Sequence, residues 1–123
     1  MTTKKGKKIT GGKYIKQRKK KKNELAGQKR VIKLSDEEKR KSKRIMGGNN
    51  KTYLLRAKLV NVVENGKTSK LEITKVVETP SNIFLARQNV LTKGTIVETS
   101  KGKVKITNRP TQEGNVNGIL LKE

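Results

Sequence analysis

Residues 53–63, YLLRAKLVNVV, are followed by the turn sequence Glu64-Asn65-Gly66-Lys67 and then by residues 71–78, LEITKVVE. Both apolar stretches are rich in the branched aliphatic side chains that suit a strand. An Asn-Gly pair between two such stretches is typical of a two-residue hairpin turn. We therefore predict that the two stretches pair as an antiparallel hairpin, which is the most strongly indicated element of the chain.

Weaker signals on both sides of this hairpin predict further strands. The predicted strands are residues 31–34, 95–99, 103–107 and 116–121, with a tight turn at residues 100–102. Alternation puts Val104 and Ile106 on one face. Ser81 is expected to cap a short helix over residues 82–90, and Arg109-Pro110 is expected to break the chain. Short strands with frequent turn signals predict a mainly β fold, a small closed or nearly closed barrel with one short helix.

The first 48 residues carry most of the positive charge. The chain has 123 residues and a formal net charge of +22, and residues 1–48 hold 19 of its 32 Lys and Arg but only 4 of its 10 Asp and Glu. Like charges repel and unpaired charges resist burial, so residues 13–22, which hold seven cations and no carboxylate, cannot belong to a folded core. We expect residues 1–28 to form an extended basic arm, stable in water or against a polyanion, and residues 29–123 to form the β domain.

Two segments leave alternatives open. A short helix over residues 13–26, ending at Gly27, is the alternative to a fully extended arm. Ser35-Asp36-Glu37-Glu38 matches a helix capping box, but residues 39–44, KRKSKR, lack the apolar periodicity of a packed helix. We favour a turn followed by a basic strand over residues 29–48, which joins the arm to the barrel and ends at the Gly47-Gly48 breaker.

Several classes of function lack the residues they need. The chain has no Cys and no His, so zinc sites built on thiolate or imidazole and thiol nucleophiles are excluded. Glu64, Glu72, Glu78, Glu98 and Glu113 are singly spaced, and no phosphate-binding loop or calcium loop is present. No apolar run approaches the roughly 20 residues that span a bilayer. We therefore expect no catalysis, no cofactor, no metal, no small-molecule substrate and no membrane partner.

The charge instead indicates a nucleic-acid partner. The only aromatic residues are Tyr14, Tyr53 and Phe84, too few for a base-stacking platform. We expect Tyr53 and Phe84 to belong to the core rather than to stack on bases. The excess of Lys over Arg favours point-charge contacts with phosphates over bidentate reading of bases.

Short motifs spread along almost the whole chain resemble the archaeal/eukaryotic-type family S-eight-e of small-subunit ribosomal proteins, in its short archaeal form. The motifs are Lys8-Ile9-Thr10-Gly11-Gly12-Lys13, Lys21-Lys22-Asn23-Glu24-Leu25-Ala26-Gly27, Arg44-Ile45-Met46-Gly47-Gly48-Asn49, Leu54-Leu55-Arg56-Ala57, residues 86–94 (ARQNVLTKG) and residues 109–114 (RPTQEG). Each is weak alone, but six in this order in a chain of this length are specific.

The resemblance implies a six-stranded barrel behind a basic extension threaded into ribosomal RNA, and a structural role in the small subunit. The implied partners are small-subunit ribosomal RNA and neighbouring ribosomal proteins, in the cytoplasm. The expected RNA-binding residues are Lys4, Lys5, Lys7, Lys8, Gly11, Gly12, Lys13, Lys16, Arg18, Lys19, Lys20, Lys21, Lys22, Arg30, Arg40, Lys43, Arg44, Gly47, Gly48, Arg87, Lys93 and Arg109. Of these, Arg44, Gly47, Gly48, Arg87, Lys93 and Arg109 are implied by the resemblance. The alternative is a free nucleic-acid chaperone or DNA-compacting protein, which shares the charge without a defined site.

Overall fold

The computed structural model describes residues 6–14, 18–27, 29–64 and 66–121. Eight strands occur in these ranges: β1 (Lys33–Leu34), β2 (Lys39–Arg44), β3 (Asn50–Ala57), β4 (Leu59–Glu64), β5 (Lys67–Glu78), β6 (Ile96–Thr99), β7 (Gly102–Ile106) and β8 (Asn117–Leu120). Two short α-helices, α1 (Ile83–Arg87) and α2 (Pro110–Glu113), and two single 3-10 turns, Lys22–Glu24 and Met46–Gly48, complete them. The prediction of a mainly β fold is confirmed.

The last five strands close into a barrel in the order β4-β5-β6-β7-β8. Neighbouring strands are antiparallel except for β8, which returns parallel to β4 through the pairs Asn61↔Asn117 and Val62↔Gly118. The Asn61 amide donates a 3.1 Å hydrogen bond to the Asn117 side-chain oxygen at this seam. Closure leaves no exposed strand edge in the barrel.

The predicted hairpin forms, but it is shorter than its apolar run. β4 pairs with β5 from Leu59↔Glu72 to Glu64↔Lys67, and Gly66 takes a positive φ of 76° in the turn. The run over residues 53–63 is interrupted at Lys58, where β3 ends and β4 begins. The ammonium group of Lys58 lies 3.3 Å from Asp36 and 3.6 Å from Glu72. The first part of the run, residues 53–57, belongs to β3 and lies in another sheet.

That second sheet has three strands in the order β1-β3-β2. β2 is antiparallel to β3, and the two-residue β1 lies parallel to β3 on its other side. The predicted basic strand over residues 39–44 is thereby confirmed as β2. The expected count of six barrel strands is wrong for the described part of the chain, since five strands close the barrel and β3 pairs outside it.

One aliphatic core fills the barrel and extends under the small sheet. Val60, Val62, Val97, Val104 and Ile106 are fully buried. Leu54 and Ala57 from the second sheet, and Ile32 just before β1, belong to the same cluster. The alternation that predicted a shared face for Val104 and Ile106 is confirmed.

The helices differ from the prediction in number and in bounds. α1 is capped by Asn82, whose side-chain oxygen accepts a 2.9 Å hydrogen bond from the Phe84 N–H, so Ser81 is not the cap. The segment at Arg109-Pro110, predicted as a break, begins α2. Proline is compatible with the first helical turn because that position needs no N–H donor. Gly114 closes α2 in the left-handed conformation.

The two aromatic residues predicted for the core differ in their positions. Tyr53 is only 7% exposed, which confirms its predicted burial. Phe84 is 66% exposed on α1, so its predicted burial is wrong. In a five-residue helix, the half-buried Leu85 and Ala86 face the domain and Phe84 faces away from it. No helix in the described ranges has the length and apolarity that a membrane crossing requires.

Candidate nucleic-acid interface

All described residues between positions 6 and 27 are exposed. They make no contribution to the buried core. Instead of a helix over residues 13–26, the described residues there contain a single 3-10 turn at Lys22–Glu24. The expected contacts Lys19, Lys20, Lys21 and Lys22 lie on or beside this turn. Because these side chains are exposed, their ammonium groups are accessible to an anion.

A small loop organises residues 7–13. Lys7 and Lys13 form a β-bridge, and the Lys8 N–H donates to the Gly12 carbonyl at 2.7 Å. Gly11 has a φ of 81°, a conformation that favours glycine. The loop therefore places Lys7, Lys8 and Lys13 close together around a glycine turn.

Arg18 has a carboxylate partner within the protein. Its guanidinium donates to both oxygens of Glu24, one of them at 2.9 Å, and Glu24 also accepts from the Lys21 N–H at 3.0 Å. The hydrogen bond from Arg18, followed by that from the Lys21 backbone, lowers the pKa of the Glu24 carboxyl below its ordinary value. A phosphate that binds Arg18 must therefore compete with Glu24.

Arg40, Lys43 and Arg44 lie on β2, whose six residues are all exposed. Arg40 is bound to the Glu38 carboxylate. Lys43 and Arg44 form no ion pair with any described residue. The edge strand of the small sheet thus presents free positive charge.

Gly47 and Gly48 form the turn between β2 and β3. Their φ angles are 79° and 82°, and the Ile45 N–H closes the turn on the Asn49 carbonyl at 2.7 Å. The strong breaker predicted here is confirmed, and it has a physical cause, since other residues rarely adopt two successive positive φ angles.

Arg30 covers the ring of Tyr53. Its guanidinium carbon lies 3.8 Å from the ring centroid, in the geometry of a cation–π contact. Tyr53 is buried but lies outside the aliphatic core cluster. The contact therefore holds the chain at Arg30, just after the predicted arm, against the small sheet.

The remaining predicted residues are more scattered. Arg87 ends α1, and Lys93 follows in the next turn; the chain between them pairs with β1 through Lys33↔Val90. Arg109 precedes α2, where Gln112 accepts a hydrogen bond from Lys51 on β3. Arg87 and Lys93 thus flank a segment that pairs with β1, and Arg109 flanks a helix that contacts β3. Lys4, Lys5 and Lys16 lie outside the described residues.

Five basic residues of the small sheet are missing from the predicted set. They are Lys33, Lys39, Lys41, Lys51 and Arg56, all on strands β1 to β3. The signal that would identify them is their register, because Lys33 and Lys39 both pair with Arg56. Strand pairing between distant segments is not readable from one sequence.

The comparison with known families decides which kind of protein this is. A family model described as Ribosomal protein S8e matches residues 1–121. The chain belongs to the ribosomal protein S8e family. This confirms the resemblance that the six short motifs indicated.

Relatives of this S8e chain cover nearly its whole length. Proteins named small ribosomal subunit protein eS8 from Staphylothermus marinus and Sulfurisphaera tokodaii are 51% and 43% identical over 118 residues, 94% of this chain and 92% of each relative. The protein of the same name from Nanoarchaeum equitans is 47% identical over 116 residues, 93% of this chain and 91% of the relative. All three organisms are archaea, as the expected short archaeal form requires.

Proposed function

We propose that this chain is a structural constituent of the small ribosomal subunit in the cytoplasm. The observation that carries the proposal is membership of the S8e family over residues 1–121, with relatives named as small-subunit proteins. A free nucleic-acid chaperone would share the charge, but no relative described above carries such a name. The role is structural rather than enzymatic.

The proposed partner is small-subunit ribosomal RNA, with neighbouring ribosomal proteins beside it. The exposed lysines from Lys19 to Lys22 and the loop around Gly11 would contact phosphates along the RNA backbone. Each phosphate that they neutralise releases counterions, so affinity falls steeply with salt. Residues 1–28 act in this proposal as the RNA-threading extension, and residues 29–123 as the barrel domain that docks on the RNA surface.

A matched pair of variants tests the proposal in the full-length chain. One variant carries Lys19→Gln, Lys20→Gln and Lys22→Gln; the control carries Lys67→Gln, Lys70→Gln and Lys105→Gln, which removes the same charge from exposed barrel positions. The measurement is incorporation into small-subunit particles, by sedimentation after a high-salt wash. We expect the first variant to incorporate poorly and the control to incorporate normally.

Two outcomes for the wild-type chain would contradict the ribosomal role, and one outcome for the variants would contradict the contacts of Lys19 to Lys22. Wild-type chain that remains at the top of the gradient, bound to no small-subunit particle, would contradict the ribosomal role. Wild-type chain that sediments with DNA instead would favour the chaperone. Equal incorporation of the two variants would contradict the role of Lys19 to Lys22 and would leave the ribosomal role in place.

A further inference from the structure

Basic side chains on the small sheet are arranged in rows that cross its strands. In the first row, Arg56 on β3 has Lys33 on β1 as its partner on one side and Lys39 on β2 on the other. All three are exposed. Adjacent strands lie about 4.8 Å apart, so the backbone positions of these three cations span about 10 Å across the sheet. Like charges placed directly opposite each other destabilise a sheet.

A second row repeats the arrangement further along the same two strands. Lys43 on β2 lies opposite Lys51 on β3, again without an acidic neighbour in the register. Between the rows, Lys41 lies opposite Tyr53, whose ring carries the Arg30 guanidinium. Three successive positions along the pair of strands therefore each present positive charge.

A β-bulge brings these rows to one side of the sheet. The register shifts between Lys39 and Arg40, so Leu55 is an extra residue in β3. Leu54 and Ala57, on either side of the shift, both belong to the core cluster. Tyr53 and Arg56 accordingly turn to the opposite, outer side, together with their register partners.

No carboxylate on the described part of the chain neutralises this outer side. Of the neighbouring acids, Asp36 pairs with Lys58 and Glu38 with Arg40, and Glu37 forms no ion pair with a described residue. Lys33, Lys39 and Arg56 form no ion pair with a described residue. Lys51 has a neutral partner, the Gln112 side-chain oxygen. The repulsion on this side is thus left uncompensated in the free protein.

We propose that the outer face of the small sheet is a second phosphate-binding surface that seats one strand of ribosomal RNA. The residues of this face are Lys33, Lys39, Lys41, Lys43, Lys51, Arg56 and the Arg30–Tyr53 stack. The inference rests on the proposed function, and it adds a site formed by folded strands to the basic N-terminal segment. Charge complementarity identifies the occupant, because a row of phosphates would relieve the repulsion in each row of cations.

The chemistry of the face also predicts how it binds. Lysine ammonium groups make point contacts with phosphate, and only Arg30 and Arg56 can offer two parallel N–H donors. No side chain among these eight presents an open aromatic ring, since the Tyr53 ring is covered by Arg30. The surface therefore holds the RNA backbone without reading its bases.

The test compares two full-length variants that lose the same charge. The sheet variant carries Lys33→Gln, Lys39→Gln and Arg56→Gln, and the control carries Lys67→Gln, Lys70→Gln and Lys105→Gln. The probe is purified small-subunit ribosomal RNA, titrated at several salt concentrations. We expect the sheet variant to lose affinity by about tenfold or more relative to the control at physiological salt, with a salt slope less steep by about 2 to 3. Without RNA, it should melt at the same temperature as the wild type or higher.

Each outcome supports or overturns the inference. Equal affinity loss in the two variants overturns the sheet surface and leaves the proposed function in place; wild-type chain that fails to bind the RNA overturns both. Displacement of the RNA by polyglutamate at equal charge concentration overturns RNA as the occupant and indicates an acidic protein partner. If the sheet variant does not fold, Arg56→Gln is measured against Lys70→Gln, with a slope change of about 1 expected only for the former.

Discussion

Lys43 lies directly opposite Lys51 across the antiparallel pair of β2 and β3. Two like charges at paired positions lower the stability of a sheet, and a free protein gains nothing from them. An anion bound over the sheet would relieve the repulsion between the two ammonium groups. Stability without RNA and affinity for RNA should therefore change in opposite directions at these positions.

The first prediction follows from this pair. Lys43→Glu replaces a repulsive contact by an attractive one, so we expect the free energy of unfolding to rise by about 0.5 kcal/mol at low salt. Affinity for small-subunit RNA should fall in the same variant. Chemical denaturation at low salt and in 1 M salt checks the first part, and the stability gain should vanish at high salt because the charges are screened. A loss of stability at low salt would contradict the repulsion.

The second prediction concerns the stack of Arg30 on Tyr53. A double-mutant cycle of Arg30→Gln and Tyr53→Leu should give a coupling free energy of about 0.5 to 1 kcal/mol, as expected for a partly exposed cation–π contact. Leucine keeps the apolar bulk at position 53 but offers no ring face. Additive effects of the two substitutions on denaturant unfolding would show that the contact contributes no stability.

The third prediction concerns two buried threonines whose side chains differ in their hydrogen bonds. The Thr79 hydroxyl has no hydrogen-bond partner among the described residues, whereas the Thr95 hydroxyl contacts the Thr92 N–H at 3.2 Å and the Thr92 hydroxyl at 2.9 Å. Burying an unpaired hydroxyl is costly, so Thr79→Val should raise the free energy of unfolding by about 1 kcal/mol. Thr95→Val, the matched control, should lower it by about 1 to 3 kcal/mol. Equal effects in thermal unfolding would contradict this difference.

The fourth prediction concerns the closure of the barrel at Gly118. A Cβ atom there would lie 2.5 Å from a Val104 methyl group and 3.0 Å from the Lys105 carbonyl oxygen. We expect Gly118→Ala to cost about 1 to 3 kcal/mol through overpacking, measured by thermal unfolding. Gly27→Ala is the control, because no atom of the described residues beyond its chain neighbours lies within 4 Å of its added Cβ. Combining Gly118→Ala with Val104→Ala should recover part of the stability lost through the clash with the Val104 methyl group. If no stability is recovered, the damaging contact is the one with the Lys105 backbone carbonyl.

The fifth prediction concerns the pH dependence of the Arg18–Glu24 contact. Because hydrogen bonds from Arg18 and the Lys21 N–H lower the pKa of Glu24 below its ordinary 4.5, the contact should be complete above pH 4.5. It should be lost as the pH falls through the lowered pKa, when the carboxylate takes up a proton. Carboxyl chemical shifts followed by NMR give the midpoint directly. Arg18→Gln should move the midpoint up towards its ordinary value, and an unchanged midpoint would contradict the contact.

Binding of RNA should produce a related shift. If a phosphate takes Arg18 away from Glu24, the pKa of the carboxyl should rise in the complex, because its first cause of lowering is removed. A Glu24 midpoint that stays low in the presence of RNA would show that Arg18 is not a phosphate contact.

Local patterns in the sequence predicted the elements well where one short segment contains the whole signal. The Asn65-Gly66 pair between two apolar runs gave the hairpin of β4 and β5 correctly. The positive φ angles at Gly47 and Gly48 explain why that pair reads as a breaker. Alternation placed Val104 and Ile106 in the core. Each of these features depends on neighbours along the chain.

The wrong predictions concern features that depend on contacts between residues far apart in the sequence. The run over residues 53–63 looks like one strand, but Lys58 and its two carboxylate partners divide it between two sheets. Phe84 looks like a core residue by type, yet the orientation of α1 leaves it exposed. The sequence prediction likewise missed Arg56 as a candidate contact. Its importance comes from Lys33 and Lys39, which pairing brings to its two sides.

The sequence by itself determined the β class, the basic N-terminal segment and the family, because composition and short motifs are properties of the chain in one dimension. Only the tertiary structure decided that five strands close the barrel, that β3 leaves it, and that cations from three separate strands lie side by side on one outer face. The physical reason is register: a shift of one residue turns every side chain of a strand to the other side, and the bulge at Leu55 makes such a shift.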